Sequence, residues 1–150
     1  MDLPNTSLVS KCGIYCGACF VYRAFNDGGK FLADLSRELK VPKEKIRCSG
    51  CFAPTHELWR NCKNCVISSC LEEKGYRFCY ECSGFDGSCE KYEKIARLCS
   101  ERGEDVRESL CRIEAGETLA WLAEQDRKWR CSKCAGPISW YEKTCHHCGQ

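Results

Sequence analysis

Arg130-Cys131-Ser132-Lys133-Cys134-Ala135-Gly136-Pro137, closed after a ten-residue gap by Cys145-His146-His147-Cys148-Gly149, is the stretch that decides the fold. It has a twin at Arg47-Cys48-Ser49-Gly50-Cys51-Phe52-Ala53-Pro54, closed after the same gap by Cys62-Lys63-Asn64-Cys65. Two cysteines separated by two residues can wrap one side of a tetrahedral ion. A ten-residue spacer is long enough for a short hairpin that brings the second pair to the other side. Both copies carry Arg-Cys-Ser-x-Cys-x-x-Pro, so the likeness goes beyond the cysteines. Cys131, Cys134, Cys145 and Cys148 therefore read as one zinc ribbon. Cys48, Cys51, Cys62 and Cys65 read as a second zinc knuckle pair, with an interleaved, cross-braced arrangement as the alternative.

Seventeen cysteines in 150 residues require either disulfides or metal. The first eleven residues hold no continuous apolar run of the kind a secretory signal needs, and an odd cysteine count does not close a disulfide framework. Thiols in the cytoplasm stay reduced, so the expectation is a cytoplasmic, metal-bound protein. No window approaches the roughly 20 apolar residues of a membrane span. The formal charge of +2 counts thiols as neutral. Each ion held by four thiolates adds about −2, so three such sites would bring the protein to about −4. That balance does not favour non-specific binding to nucleic acid.

The periodicity predicts short helices between the cysteine motifs. Phe20, Val21, Ala24 and Phe25 recur at helical spacing, so a helix should begin near Gly17 or Ala18, with Cys16 and Cys19 at its N-terminus. A second helix is expected over 30–40, with Leu32, Leu35 and Leu39 on one face, ended by Pro42. Glu72-Glu73-Lys74-Gly75 should close a helical turn. Ser88 should cap a helix over 89–99 that buries Tyr92, Ile95 and Cys99. Two more follow: 104–115 with Val106, Leu110 and Ile113 in line, and Thr118–Lys128 with Leu119 and Leu122 inward beside Trp121. The fold class is thus a small metal-stabilised α+β protein. Residues 1–99 form a cysteine-rich multi-knuckle domain, 100–128 a helical segment packed on it, and 129–150 the zinc ribbon. The ribbon is the most separable unit, and its few large apolar side chains would not order it without an ion.

The spacing from Cys12 to Cys89 resembles that of a known family, the cysteine-rich domain of unknown function found in bacteria and archaea, many of them anaerobes. The matching elements are Cys12-Gly13-Ile14-Tyr15-Cys16-Gly17-Ala18-Cys19, Cys48-Ser49-Gly50-Cys51, Cys62-Lys63-Asn64-Cys65 with Cys70, Glu73-Lys74-Gly75, Cys79-Tyr80-Glu81-Cys82 and Cys89-Glu90-Lys91. The resemblance covers about residues 10–98. Family members often carry Phe-Pro-Cys where this chain has Gly87-Ser88-Cys89. The resemblance implies metal binding and supplies no reaction. The appended ribbon is similar to those that follow many such domains.

Two pairs with two-residue gaps, Cys16 with Cys19 and Cys79 with Cys82, read as a third zinc site. Cys12, Cys70 and Cys89 are then buried thiols or a partial, exchangeable site. Cys99 and Cys111 read as small buried hydrophobes. His56, His146 and His147 read as exposed, because the neighbouring ligand positions are already filled by cysteine. Cys12, Cys16 and Cys19 also have the spacing of a trio that holds a 4Fe-4S cluster, and an electron-transfer or redox protein is the alternative to two to three zinc ions. The chain is too short for the barrel of a radical enzyme. It carries no glycine-rich phosphate loop, so no catalytic residue is assigned and the reading is not that of an enzyme unless Cys12 belongs to an exchangeable metal site. The sequence favours a protein- or nucleic-acid-interaction module whose ribbon makes contact through Trp140, Tyr141, Lys143 and His146, beside Arg130 and Lys133. Trp129 is expected in the core. No oligomeric state is legible.

Overall fold

The computed structural model describes residues 5–140, 142 and 144–149, so Tyr141 and Lys143 lie outside the described residues. Helix α1 (Phe20–Asp27) follows a turn of 3₁₀ helix at Cys16–Ala18 and buries Val21 and Ala24. Gly28, at φ +62°, reverses the chain into α2 (Gly29–Leu39). This second helix ends where Lys40 turns left-handed, two residues before Pro42. Leu35, Ile46, Cys48 and Trp59 join Val21 and Ala24 in a first, smaller core.

The larger core is assembled from the N-terminal segment and the later helices. After the short α3 (Arg60–Lys63), whose Cys62 packs on the smaller core, these are α4 (Val66–Lys74), α5 (Glu90–Glu101), α6 (Val106–Glu114) and α7 (Thr118–Lys128). Val9, Tyr15, Ile67, Tyr92, Leu110 and Trp121 are among the side chains buried there. Asp105 caps α6 by accepting the Glu108 N–H at 3.0 Å. The buried indole of Trp121 donates to Ser109 Oγ at 2.9 Å, which ties α7 to α6. Gly13, at φ +98°, lets the first cysteine motif lie against α6, since a Cβ there would meet the Val106 carbonyl oxygen at 2.5 Å.

The architecture is mostly helical, which corrects the α+β expectation. Among the described residues the β structure consists of isolated bridges, Val9 with Tyr15 and Arg130 with Pro137. The expected knuckle hairpin over 52–61 is replaced by a 3₁₀ turn at Thr55–Glu57, entered from Pro54, and then by α3. Local helical bonds satisfy that backbone without a strand partner. No described helix is long and apolar enough to cross a membrane.

Three side chains depart from the periodic reading. Ser88 does not cap α5. Its N–H and hydroxyl both go to Asp86 Oδ1, and Cys89 takes the N-cap position. Leu119 is 54% exposed, because Trp121, Leu122 and Gln125 form the inward face of α7. Cys111 is exposed, whereas Cys99 is buried as expected.

The terminal segment is docked on the helices. The Trp140 N–H donates to the Ala18 carbonyl at 2.9 Å, and Trp129 Nε1 donates to Glu104 Oε1 at 2.8 Å. Arg102 stacks on the Trp140 ring at 4.5 Å. Trp140 and His146 are thus built into the molecule, in place of the exposed contact roles expected for them. Leu110→Ala should lower the unfolding free energy by about 2–5 kcal/mol and Asp105→Ala by about 1 kcal/mol. Leu119→Ser should move it by no more than about 0.5 kcal/mol. Denaturant midpoints at constant slope check all three.

Candidate metal centres

Cys131, Cys134, Cys145 and Cys148 can hold a metal ion: their four sulfurs lie within 4.8 Å of one another. Sγ of Cys131 is 3.8 Å from that of Cys148, and Sγ of Cys134 is 3.7 Å from that of Cys145. A tetrahedron of sulfurs with Zn–S bonds of about 2.3 Å has edges of about 3.8 Å. Backbone N–H groups turn toward the sulfurs from Lys133, Gly136 and His147, at 3.4, 3.4 and 3.3 Å. The N–H groups of Cys134 and Lys133, and then the neighbouring thiols of Cys145 and Cys148, hold the Cys131 thiol down to about 6. The turn that makes this possible puts Ala135 at φ +62°. It also brings Gly136 so close to His147 that a Cβ would meet Cδ2 at 2.7 Å.

A second group gathers on the family-like part of the chain. Cys70 of α4, Cys79 and Cys82 of the following loop, and Cys89 at the start of α5 line a small, partly open cavity of 20 Å³. Lys74 donates to Cys82 Sγ at 3.1 Å. The Gly84 N–H and then Lys74 lower the Cys82 thiol. Burial first, and then Cys89, Cys70 and Cys82, push Cys79 up to about 12.

The remaining thiols form a sulfur-lined basin. Cys48 and Cys62 are hydrogen-bonded to each other, and that bond is the main cause that brings Cys48 to about 6. Cys16 is raised well above its ordinary value by burial and then by Cys51, Cys19, Cys48 and Cys12. Burial also raises Cys51, on which Cys65 and Cys48 act. Burial likewise pushes Cys12 up to about 12, with Cys51 and Cys99 adding to it. Cys19 occupies the N-cap position of α1, where the N–H groups of Tyr22 and Val21 act to lower its thiol, although burial outweighs them. The hydroxyl of the buried Tyr92 holds the Cys12 carbonyl at 2.9 Å.

The structure therefore distributes the predicted ligands differently from the sequence. Cys16 and Cys19 have Cys48, Cys51 and Cys62 as neighbours, and Cys79 and Cys82 have Cys70 and Cys89. Among the described residues, neither of these two groups brings three sulfurs within 4.8 Å, as the terminal four are brought. All seventeen cysteines are free of disulfides.

Two residues near the terminal site escaped the sequence reading. Glu142 Oε1 accepts the His146 backbone N–H at 2.7 Å, and Glu142 Oε2 accepts the Ser139 N–H, also at 2.7 Å. Burial works to raise that carboxyl, but these N–H groups and the His146 ring outweigh it and hold it low. Asp27 Oδ2 lies 2.8 Å from His146 Nε2. The His146 side chain is 9% exposed, which corrects the expectation of an exposed residue. His56 is exposed as expected. The Asp27–His146 contact spans 119 positions and has no local signature, although the paired histidines inside a knuckle were visible.

Gly136→Ala should weaken ion retention by the terminal four cysteines, because the new methyl group displaces the His147 ring. Ala135→Gly should strengthen it by about 1 kcal/mol by removing a left-handed non-glycine residue. Competition with a colorimetric chelator measures both. No curated protein and no solved structure matches the chain. Residues 8–94, more than half of its length, match the family described as Protein of unknown function (DUF3795), and the chain belongs to that family.

Proposed function

We propose that the chain is a multi-metal protein whose ions are structural: they hold together an interaction module and do not turn over a substrate. The observation that carries this reading is the 3.7–3.8 Å sulfur spacing at Cys131, Cys134, Cys145 and Cys148, which is the edge length of a zinc tetrathiolate. Four protein ligands fill the coordination sphere, as in structural sites. The sulfur basin of Cys12, Cys16, Cys19, Cys48, Cys51, Cys62 and Cys65 and the cavity of Cys70, Cys79, Cys82 and Cys89 would take the remaining metal.

The interaction face in this proposal moves from the terminal segment to a cleft of 410 Å³ beside the basin. Lys11, Lys63 and Arg77 supply its positive charge, and Phe52 and Tyr76 are about two-fifths exposed along it. Arg77 and Lys11 sit over the Phe52 ring at 5.0 and 5.5 Å. Exposed rings interleaved with cations suit a single-stranded nucleic acid, whose bases stack while its phosphates pair. Arg77→Ala combined with Lys11→Ala should reduce retention of a single-stranded oligonucleotide at least tenfold at low salt. Unchanged retention, or none by the unaltered chain, sinks this part of the reading.

A second reading has its own observation. The cavity formed by Cys70, Cys79, Cys82 and Cys89 surrounds a void without bringing three sulfurs into the sphere of one ion. A 4Fe-4S cluster binds each thiolate through a different iron, and so suits wider spacing. The same holds for the trio Cys12, Cys16 and Cys19. Elemental analysis of anaerobically purified protein separates the two. Structural zinc predicts two to three zinc per chain without sulfide, falling by one in Cys131→Ser. Iron with acid-labile sulfide in a coloured preparation favours the cluster.

A further inference from the structure

We infer that Asp27, His146 and His147 form a further metal site, free of thiolate, which takes an exchangeable divalent first-row transition ion. Asp27 Oδ2 lies 2.8 Å from His146 Nε2 and 3.4 Å from His147 Nε2, and the three ligand atoms fall within 4.8 Å of one another. The site joins α1, inside the family-matched residues, to the second terminal knuckle outside them. It rests on the thiolate reading in one respect: the ion on Cys145 and Cys148 fixes the turn that carries both histidines.

The surroundings are those of a ligand set. Glu142 Oε1 takes the His146 backbone N–H and lies 2.5 Å from His146 Nδ1, while Ser139 occupies Oε2 through its N–H and its hydroxyl at 2.7 and 3.0 Å. A carboxylate on one ring nitrogen leaves the other as the metal-binding one, and it is the usual outer partner of a ligating histidine. Each ring nitrogen of His146 thus faces a carboxylate oxygen, Nδ1 that of Glu142 and Nε2 that of Asp27. Either a proton or a metal ion fills the 2.8 Å gap between Nε2 and Asp27 Oδ2, and the second imidazole, with His147 Nε2 3.4 Å from the same oxygen, completes a ligand set for the ion. Arg23 Nη1 holds the other Asp27 oxygen at 3.4 Å, as ligating carboxylates are commonly held. Phe31 stacks on the His146 ring at 4.3 Å and closes one side.

His147 provides the entrance. Its side chain is 31% exposed, against 14% for Asp27 and 9% for His146. His147 Nε2 also lies 2.8 Å from the Pro137 carbonyl. Coordination exchanges that hydrogen bond for a metal–nitrogen bond and leaves the carbonyl beside the ion as a further oxygen donor. Two imidazoles and one carboxylate suit zinc, iron(II), cobalt or nickel better than the all-oxygen ions or a soft monovalent one. Three protein ligands leave coordination positions open, in contrast to the filled spheres of the thiolate sites. Binding clamps the terminal segment to the turn between α1 and α2.

The test loads the full chain with zinc, dialyses it against a weak chelator that empties the exchangeable site and leaves the four-thiolate ions in place, and then adds cobalt(II), followed by equilibrium dialysis and metal analysis. One extra cobalt per chain is expected, with weak d–d absorption and no sulfur-to-cobalt charge-transfer band. Asp27→Ala and His147→Ala should each lose that equivalent. Glu142→Gln, which keeps all three ligands, should weaken it about 10–100-fold. Zinc per chain in each variant reports separately on the thiolate sites and on folding, and it should not change. The inference is overturned if the unaltered chain takes up no extra cobalt, if its cobalt shows the charge-transfer band, or if His147→Ala binds it undiminished. The cluster is then a hydrogen-bonded dock with a proton where the ion was placed.

Discussion

Burial of sulfur is the constraint on which this molecule depends. Cys12 and Cys79 are pushed up to about 12, and Cys16 higher than its ordinary range, chiefly because apolar neighbours exclude water from them. A thiolate in such surroundings needs a positive charge at close range. Lys74 supplies one for Cys82, and helix-start N–H groups contribute partial charge at Cys19. Lys11 acts in the same sense on Cys51 and Arg102 on Cys19 and Cys99, yet burial outweighs them, so the arrangement is suited to thiolates that share metal. Interior volume that leucine and isoleucine would normally occupy is given over to sulfur, and the two apolar clusters meet at Cys19, which touches both.

The helices place the sulfur. In chain order, α1 presents Cys19 from its first turn, α4 carries Cys70 on its length, and α5 starts at Cys89. Helix starts leave backbone N–H groups unpaired, and a cysteine there can accept them. The terminal four cysteines follow another rule. Their sulfurs sit on tight turns, and the N–H groups of Lys133, Gly136 and His147 face them. That geometry is almost wholly local.

The same distinction between local and distant explains what the residues disclosed. The stripes Val106–Leu110–Ile113 and Val21–Ala24 announced α6 and α1, because a helix face is written at spacings of three and four. Cys131, Cys134, Cys145 and Cys148 were legible for the same reason. Assigning the other pairs was harder, since a two-residue spacing specifies half of a site and leaves its complement unstated. Cys79 and Cys82 found Cys70 and Cys89 through the fold of α4 against α5, which no spacing encodes. Leu119 misled because Leu119 and Leu122 satisfy the stripe equally well. The outcome was decided by Trp121, whose indole had a hydroxyl to reach on α6. The first hairpin gave way because Pro54 and a helical turn took its spacer.

The hydroxyl of Tyr92, fastened to the Cys12 carbonyl, joins positions eighty residues apart. Doubling the span of such a closure adds only about 0.6 kcal/mol, so the distance itself is no obstacle. Both ends fall inside residues 8–94, and Tyr92 is almost the last residue of that range. The family-matched part therefore carries its own latch for the first cysteine motif. Helix α6 then packs against the latched motif at Gly13, inside the same core.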